Sequence, residues 1–536
     1  MHIFGRILRL AAATAILAAA TFGLAPSQPV VVTTEGTVAG VHRDGISEFF
    51  GIPYAAAPIG DLRWRPPQPH AKWSGTWQAT SSTQGCVQNQ PGLFAHPSLT
   101  EDCLYLNVYA PDDYATTPND HRGVLVWFPG GAMTAGESID YDGSRLVKTG
   151  DAIVVTVDFR VGYLGFFAYP QLDGEGHTFG NYGTMDEQMA LRWIQRNIAK
   201  FGGDPHRVTI FGQSGGATAV MVNLVSPLSK GLFQRIINES GTHITAIPLP
   251  AAEQRGATIV AKAGCDKATD VMACMRALTP LQILDLGPPP PNYFVVDGQV
   301  VTGDAFETFR TGAFNHVPIM TGLVADEQAF FMPEIAGGPP VPSAKPLTAQ
   351  GYADYVKTYG DQNVAALTAA YPLSAFASPS LAEIALAQGN KACIARQFDR
   401  WWSQYVPVYA YQFNDETAPS YFPAVSYPTR AFHTSELEYI FPLFHGGQGR
   451  PHALNPEQTK LADQMARYWG TFARNGNPNS AGNPRWEKYS AQADNVISLI
   501  EPKPYMTSGY GKQTYHNGMH NSCEVWDPIP LTGGRS

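Results

Sequence analysis

Short apolar runs recur along the chain, each bounded by Gly, Pro or Asp, and this pattern predicts buried β-strands. Several runs, such as GVLVWF and AIVVTVDF, do not alternate with polar residues. Strands that are covered on both faces have this composition, so the pattern indicates a mainly parallel sheet wrapped by helices. The predicted strands lie at residues 123–128, 152–159, 207–212, 235–240, 317–322 and 408–413.

Two segments carry helical periodicity. Apolar side chains recur at four-residue spacing over about 184–200, and the pattern stops at Gly202. A second helix is predicted at about 456–474, where Asn455 is the cap and Gly476 follows the last turn. The first helix thus has a stop signal, and the second has signals at both ends.

The elements together predict one large domain. A chain of 536 residues is compatible with a single α/β domain that carries long insertions. We expect this domain to span residues 28–536, with a helical, loop-rich region at about 325–440. Proline-rich stretches within 280–300 and 333–347 predict irregular connections.

The composition limits the class of partner. Only 15% of the residues are charged, and 36 Lys and Arg against 45 Asp and Glu give a net charge of -9. Because no dense Lys/Arg cluster occurs, nucleic acid and anionic membrane surfaces are disfavoured as partners. Neutral small-molecule substrates fit best. The oligomeric state cannot be read from the sequence.

Residues 1–27 predict a secretory signal peptide. Arg6 and Arg9 precede an uncharged, Ala-rich run, which is short and weakly apolar for a membrane span. A single-pass anchor is the alternative. We therefore expect a secreted or periplasmic protein without stable membrane insertion.

The six cysteines are an even number, as expected for an exported protein whose cysteines form disulfides. Six cysteines permit 15 connectivities. Metal ligation is the competing interpretation, but no CxxC or HExxH spacing occurs, and we expect no metal site. Proximity in the sequence favours the pairs Cys86–Cys103 and Cys265–Cys274, which leaves Cys393 to pair with Cys523.

One motif indicates catalytic chemistry. In RVTIFGQSGG a predicted strand ends on Ser214, between Gly212 and Gly216, and a predicted helix follows and stops near Pro227. A G-x-S-x-G pentad between a strand and a helix predicts a nucleophile elbow, in which small residues permit a strained turn that exposes the serine hydroxyl. Because such pentads also occur by chance, the assignment depends on partner residues elsewhere.

The motifs resemble those of the type-B carboxylesterase/lipase family of α/β hydrolases. FGGDPHRVTIFGQSGG at 201–216 carries the serine, EDCLYLNVYAP at 101–111 matches the second family signature, and the resemblance extends over nearly all of 32–505. It implies an α/β-hydrolase fold and a serine esterase that acts on small-molecule esters and needs no cofactor.

The resemblance also implies the partners of Ser214. The family's acid aligns with Glu327 in GLVADEQAFF, where Asp326 is the neighbouring alternative, and its histidine aligns with His433 in HTSELEYIFP, where His445 is the alternative. Around the acid and the histidine the chain departs from the family pattern at three positions: Val324 and Gln328 replace Asn and Gly around the acid, and Thr434 replaces the Gly after the histidine.

The family's oxyanion loop corresponds to VWFPGGAMTAG, in which Pro129 replaces the usual aromatic residue or histidine. The resemblance makes the backbone N–H groups of Gly131, Ala132 and Gly215 the donors to the developing oxyanion. Negative charge builds up on the carbonyl oxygen during acyl transfer, and small residues permit the close approach of these donors.

Two residues next to this machinery are secondary candidates. Ser240, in NESG, aligns with a serine that the family places near the histidine, although a plain strand-end hydroxyl is the alternative interpretation. Gln213 stands where many relatives carry a glutamate. An amide at this position keeps the hydrogen-bonding shape without the charge.

The resemblance brings three other functions into consideration. A lipase is the main alternative, because related enzymes cover the site with a flap in the loop between Cys86 and Cys103. A binding protein that has the fold but lacks the triad is a further alternative. Cholinesterase activity is disfavoured, since this loop contains no tryptophan to hold a quaternary ammonium.

Overall fold

Three sheets are present in the computed structural model. It describes residues 28–89, 96–114, 122–177, 180–335, 345–422, 424–442, 444, 453–510 and 523–529. The strands are β1 Val30–Val32, β2 Thr37–Ala39, β3 Val41–Arg43, β4 Ile46–Pro53, β5 Thr76–Gln78, β6 Tyr105–Pro111, β7 Arg122–Phe128, β8 Ala152–Val157, β9 Gly203–Gln213, β10 Arg235–Glu239, β11 Thr245–Pro248, β12 Tyr293–Val296, β13 Ile319–Val324, β14 Val408–Phe413, β15 Asn495–Leu499 and β16 Tyr505–Ser508.

The central sheet has eleven strands in the order β16-β15-β14-β13-β10-β9-β7-β8-β6-β4-β3. Its middle, from β8 to β15, is entirely parallel, whereas β6, β4 and β3 on one side and β16 on the other pair in the antiparallel direction. Two small sheets, β1-β2-β5 and β11-β12, lie outside it. The predicted fold class, a mainly parallel sheet flanked by helices, is confirmed.

The apolar strands bury both faces of the sheet. On β7, Val124 and Val126 belong to one hydrophobic core, and Leu125 and Trp127 belong to another. Because successive side chains of a strand point to opposite faces, a run that is apolar at every position supplies both cores. This explains why GVLVWF does not alternate.

Helices cover these two faces. Their bounds are α1 Ser144–Lys148, α2 Gly162–Gly165, α3 Pro170–Asp173, α4 Tyr182–Asn197, α5 Gly215–Val225, α6 Leu249–Lys262, α7 Val271–Arg276, α8 Pro280–Leu284, α9 Ala305–Thr311, α10 Ala349–Lys357, α11 Val364–Ala370, α12 Pro379–Trp402, α13 Leu437–Ile440, α14 Pro456–Asn475 and α15 Cys523–Trp526. Among the residues described, no helix has both the length and the hydropathy that a membrane span requires.

Both predicted helices are confirmed. The first is α4 followed by a turn of 3-10 helix, and the second is α14, in which the Asn455 side chain accepts hydrogen bonds from the backbone N–H groups of Glu457 and Gln458. Gly476 closes α14 with a φ of 69°.

The six predicted strands are present, with ends shifted by up to four residues. The segment 280–300, which we expected to be irregular, contains α8 and β12. Elements of four or five residues are too short to show a period in the sequence, so the proline signal dominated the prediction. Most of the second proline-rich stretch and the whole predicted signal peptide lie outside the described residues.

Candidate active site

Ser214 lies in a sharp turn between β9 and α5. Its backbone has φ 57° and ψ -121°, a combination that L-residues rarely adopt and that is typical of functional sites. The turn is held by a hydrogen bond of 3.0 Å from the Ser214 N–H to the carbonyl oxygen of Glu239, at the end of β10.

The outer glycines of the pentad are required by the same turn. A Cβ atom on Gly212 would lie 2.5 Å from the backbone carbonyl carbon of Gly216, and one on Gly216 would lie 1.9 Å from the carbonyl oxygen of Phe128. Any side chain at either position would force β9, α5 and the end of β7 apart. The pentad is therefore a packing requirement of the strand–turn–helix unit.

Glu327 and His433 meet at the same edge of the sheet as Ser214. Glu327 begins a 3-10 turn just after β13, and His433 lies in the loop after β14, which pairs with β13 in parallel. An isolated parallel bridge joins Asp326 to Phe432, with a hydrogen bond of 2.9 Å from the Asp326 N–H to the carbonyl oxygen of Ala431. Next to this bridge, the carboxylate of Glu327 forms a short hydrogen bond with Nδ1 of His433.

Asp326, the alternative acid, faces another way. Its carboxylate lies 3.9 Å from the guanidinium of Arg430, and burial raises the pKa of Asp326 to about 7 despite that charge. Of the two neighbouring carboxylates, only Glu327 reaches the imidazole of His433. The alternative histidine, His445, lies outside the described residues.

Glu327 is held from several directions. Its backbone N–H donates to Oε1 of Gln388 at 3.0 Å, and its Oε1 accepts from the N–H of Val324 at 3.2 Å. Burial opposes ionisation, but the charge and hydrogen bond of His433, helped by Lys391, bring the pKa of Glu327 below its ordinary value. The acid is therefore a carboxylate at neutral pH.

Gln213 occupies the space between the elbow and the histidine. It is fully buried, and its Nε2 lies 3.2 Å from Nε2 and 3.3 Å from Nδ1 of His433. No hydrogen bond joins the Ser214 hydroxyl to His433 within the described part of the chain. In structures without substrate, such catalytic hydrogen bonds are often long and tighten only in the reacting complex.

The glycine loop packs against the elbow with an unusual backbone. Gly131, Ala132 and Met133 have φ values of 115°, 55° and 62°, all in the left-handed region. A Cβ atom on Gly215 would lie only 2.5 Å from the backbone nitrogen of Ala132, so the two segments touch.

The carbonyl groups of this loop have acceptor roles elsewhere. The carbonyl oxygen of Ala132 accepts from the N–H of Asn292, and that of Gly131 accepts from two N–H groups further along the loop. By contrast, the N–H groups of Gly131, Ala132 and Gly215 make no hydrogen bond to any residue that the structure describes. Three free donors therefore lie around the serine.

Comparison with known proteins identifies the family. The model of the carboxylesterase family matches residues 27–526. The chain belongs to the carboxylesterase family. Similar proteins include the acylcarnitine hydrolase of Mus musculus, 33% identical over 505 residues (86% of this chain, 83% of the relative), the cocaine esterase of Homo sapiens, 31% identical over 526 residues (89% and 89%), and carboxylesterase 5A of Canis lupus familiaris, 32% identical over 522 residues (90% and 88%). The carboxylesterase is thus a carboxylic ester hydrolase with the α/β-hydrolase fold.

Two phenylalanines of the carboxylesterase flank the histidine. The ring centroids of Phe330 and Phe331 lie 5.7 Å and 4.8 Å from that of His433. Phe330 is buried, whereas 39% of Phe331 is exposed although its ring contacts the buried imidazole. Phe331 therefore lies between the buried imidazole and the protein surface. Phe330 and Phe331 follow Glu327 by three and four positions, and the AFF run was the available signal for them.

Buried acids lie behind the histidine. Burial, together with the charges of Glu239 and Glu327, raises the pKa of Glu436 well above its ordinary value, and burial raises the pKa of Glu239 to about 8. Ser240, with φ 55°, lies beside Glu327 and Glu436, but its hydroxyl forms no hydrogen bond of normal geometry with any described residue. The raised pKa of each carboxyl group favours its protonated, uncharged form, which limits the negative charge that the two acids add around His433.

The chain contains three disulfides, and their pairing is the one predicted from the sequence. Their Cα–Cα distances are 5.0 Å for Cys86–Cys103, 5.7 Å for Cys265–Cys274 and 5.4 Å for Cys393–Cys523. The last one ties α12 to α15 across 130 residues of sequence. Of the loop closed by Cys86 and Cys103, residues 90–95 lie outside the description.

One group of potential metal ligands occurs among the described residues. Ligand atoms of His96, Glu137 and Asp140 lie within 4.8 Å of one another. A hydrogen bond of 2.5 Å between Nδ1 of His96 and Oε1 of Glu137 accounts for the contact of these two side chains, and it raises the pKa of His96. The group is thus explained as an ion pair, and we assign no metal to it.

Proposed function

We propose that the protein is a secreted serine carboxylesterase that hydrolyses neutral carboxylic esters through a Ser214–His433–Glu327 triad. The observation that supports this most is the hydrogen-bonded pair of Glu327 and His433, next to an elbow that carries Ser214. Each part of the site has a role in acyl transfer. The strained elbow exposes the Ser214 hydroxyl, the buried carboxylate stabilises the charged histidine, and the free N–H groups of the glycine loop can bind the oxyanion.

In the proposed mechanism, His433 takes the proton of the Ser214 hydroxyl as its oxygen attacks the ester carbonyl carbon. The N–H groups of Gly131, Ala132 and Gly215 stabilise the oxyanion. His433 then gives the proton to the departing alcohol, which leaves an acyl-enzyme. Water, activated by His433, releases the acid and restores the serine.

Glu327 has two roles in this cycle. Its hydrogen bond to Nδ1 favours the tautomer in which Nε2 of His433, which lies 3.2 Å from Nε2 of Gln213, accepts the serine proton. Its negative charge stabilises the imidazolium that forms during each proton transfer. The lowered pKa of Glu327 keeps this charge present at neutral pH.

The triad is tested by Ser214→Ala. We expect hydrolysis of 4-nitrophenyl butyrate to fall by about four to six orders of magnitude, because the nucleophile is lost while the pocket remains. Thermal unfolding should stay close to that of the parent protein, and labelling by an organophosphate should disappear. Retained turnover, or a label on another residue, would contradict the proposal.

Secretion and substrate class need separate experiments. N-terminal sequencing of the protein recovered from the medium or periplasm should find a start near residue 28.

A lipase, the alternative, would show a jump in rate when a triglyceride forms an emulsion. A carboxylesterase would instead follow the concentration of dissolved ester.

A further inference from the structure

Lys391 reaches the active site from a helix distant in sequence. It lies on α12, and its Nζ is 4.4 Å from the ring centroid of Phe331 and 3.5 Å from Oε1 of Gln328. The ring of Phe331 in turn contacts that of His433. One aromatic ring therefore separates the ammonium group from the proposed catalytic base.

Lys391 and the ring of Phe331 lie nearer to the protein surface than the histidine does. Phe331 is 39% exposed and Lys391 is half-buried, whereas His433 and Phe330 beneath them are buried. A ligand that approaches Ser214 past the exposed ring of Phe331 would come within reach of Nζ. The wall that it meets there combines an aromatic face with a single positive charge.

The charge of Lys391 has no acidic partner within ion-pair distance among the described residues. Glu327, whose charge acts on Lys391, binds His433, and Glu383 accepts from Nε2 of Gln328 at 3.3 Å. Burial lowers the pKa of Lys391 and, with the charge of Lys391, lowers the pKa of His243 to about 4. Because His243 is therefore neutral, it supplies no counter-charge.

Gln328 helps to position the ammonium group. Its amide accepts from Lys391 on one side and donates to Glu383 on the other, which links α12 to the loop that carries Glu327. The family resemblance predicts glycine at this position, and glycine would offer no side-chain acceptor to Lys391. Gln328, which replaces the glycine of the family pattern, therefore supplies the side-chain acceptor that holds the ammonium group of Lys391.

We propose that Lys391 is a specificity-determining residue that binds a carboxylate carried by the ester substrate. The proposal rests on the proposed function, because it requires that the ester reacts at Ser214. A carboxylate would form a charge-assisted hydrogen bond with Nζ in a partly desolvated site, where such bonds are stronger than in water. Hydrolysis would then extend from neutral esters to anionic ones.

The net charge of -9 does not oppose this binding strongly. Charges on the protein surface act over a Debye length of about 8 Å at physiological ionic strength, so the distant acids are screened. A direct hydrogen bond between the substrate carboxylate and the ammonium group of Lys391 is stronger than the screened repulsion from these distant acids. Overall charge affects the rate of encounter, and the local charge determines which ester is held.

The experiment compares kcat/KM for matched pairs of esters. For a carboxylate on the acyl side, the pair is mono-4-nitrophenyl glutarate and 4-nitrophenyl valerate. For a carboxylate on the alcohol side, it is carboxymethyl butyrate and ethyl butyrate, followed by acid release. Lys391→Met should reduce kcat/KM for the charged member of one pair by about 10- to 100-fold, with little change for the neutral members.

Three variants give the controls. Lys391→Arg keeps the charge and should retain most of the activity on the charged ester, and Lys391→Gln provides a second neutral variant in case the methionine variant folds poorly. Lys357→Met removes an exposed lysine that pairs with Asp354 and should leave all rates unchanged. The pair that responds shows whether the acyl or the alcohol part carries the carboxylate.

Equal loss on charged and neutral esters in both pairs would overturn the proposal, since Lys391 would then be structural. So would an arginine variant that behaves like the methionine variant. Failure of the triad is distinguishable, because it would appear as activity retained by Ser214→Ala whatever the substrate charge.

Discussion

At the scale of single residues, the structure shows what Thr434 and Gln213 contact at two positions where the chain departs from the family pattern. Thr434 has φ 81°, a conformation that suits the glycine of the family pattern, and its hydroxyl shares a hydrogen bond of 2.6 Å with that of Tyr421. This bond offsets part of the strain. Gln213 fills the place of a glutamate and contacts both nitrogens of His433. Its side chain therefore acts on the histidine directly.

The contact of Gln213 predicts a change in pH profile. In Gln213→Glu, a carboxylate beside His433 would favour the protonated imidazolium, which cannot accept the serine proton. The acid limb of kcat/KM should therefore lie at higher pH in the variant, by about one pH unit. Measurements of kcat/KM between pH 4.5 and 8 on a neutral ester test this.

Gln213→Met is the control, since it removes the amide without adding charge and should leave the acid limb near that of the parent. If the acid limb of the glutamate variant coincides with that of the parent or lies below it, residue 213 does not control protonation of the base.

At the scale of elements, the sequence predicts what is local and misses what tertiary packing assembles. The elbow, the acid loop and the histidine loop are short motifs whose chemistry and spacing are visible in the chain. The antiparallel strands β4 and β6 were not predicted, because their burial depends on neighbours. Lys391 and Gln388 were also missed, since polar residues on a long helix give no signal until α12 packs beside the acid loop.

Gln388 shows how α12 supports the site. Its side chain accepts from the N–H of Glu327 and donates to the carbonyl oxygen of Val324 at 2.9 Å, so one amide clamps both ends of the turn. In Gln388→Leu we expect kcat to fall by about 10- to 100-fold with KM little changed, because Glu327 loses its alignment with His433. The buried N–H and carbonyl left unpaired should also lower stability by about 1 to 3 kcal/mol.

Steady-state kinetics and thermal unfolding check both parts of this prediction. Gln388→Glu keeps an acceptor for the N–H of Glu327. At low pH its protonated carboxyl group can also donate to the carbonyl oxygen of Val324, so part of the rate should be recovered there. Gln350→Leu, an exposed glutamine on α10, is the matched surface control and should change neither value. A loss of stability without a loss of kcat would mean that Gln388 serves the fold alone.

At the scale of the whole molecule, the core contains many carboxyl groups that are protonated more readily than usual. Burial raises the pKa of Asp158, Asp326 and Glu383 to about 7 and that of Glu239 to about 8. Such groups could not be identified from the sequence, because burial of an acid depends on what packs around it. They make the stability of the folded chain depend on pH.

Glu239 gives the last prediction. An acid whose pKa rises from about 4.3 in the unfolded chain to about 8 in the folded chain binds its proton more tightly when folded, so the folded state is favoured at low pH. This stability is lost as pH rises from about 4.3 to about 8, at a cost of about 1.4 kcal/mol for each unit of pKa difference. Glu239→Gln stays neutral throughout and keeps an acceptor for Nε1 of Trp469, which lies 2.7 Å from Oε1. Thermal unfolding midpoints should therefore nearly agree at about pH 4, below the unfolded-state pKa, and be higher in the variant at about pH 8.5, whereas the exposed control Glu487→Gln should follow the parent at both. A constant difference between Glu239→Gln and the parent across this range would show that the carboxyl does not titrate with folding.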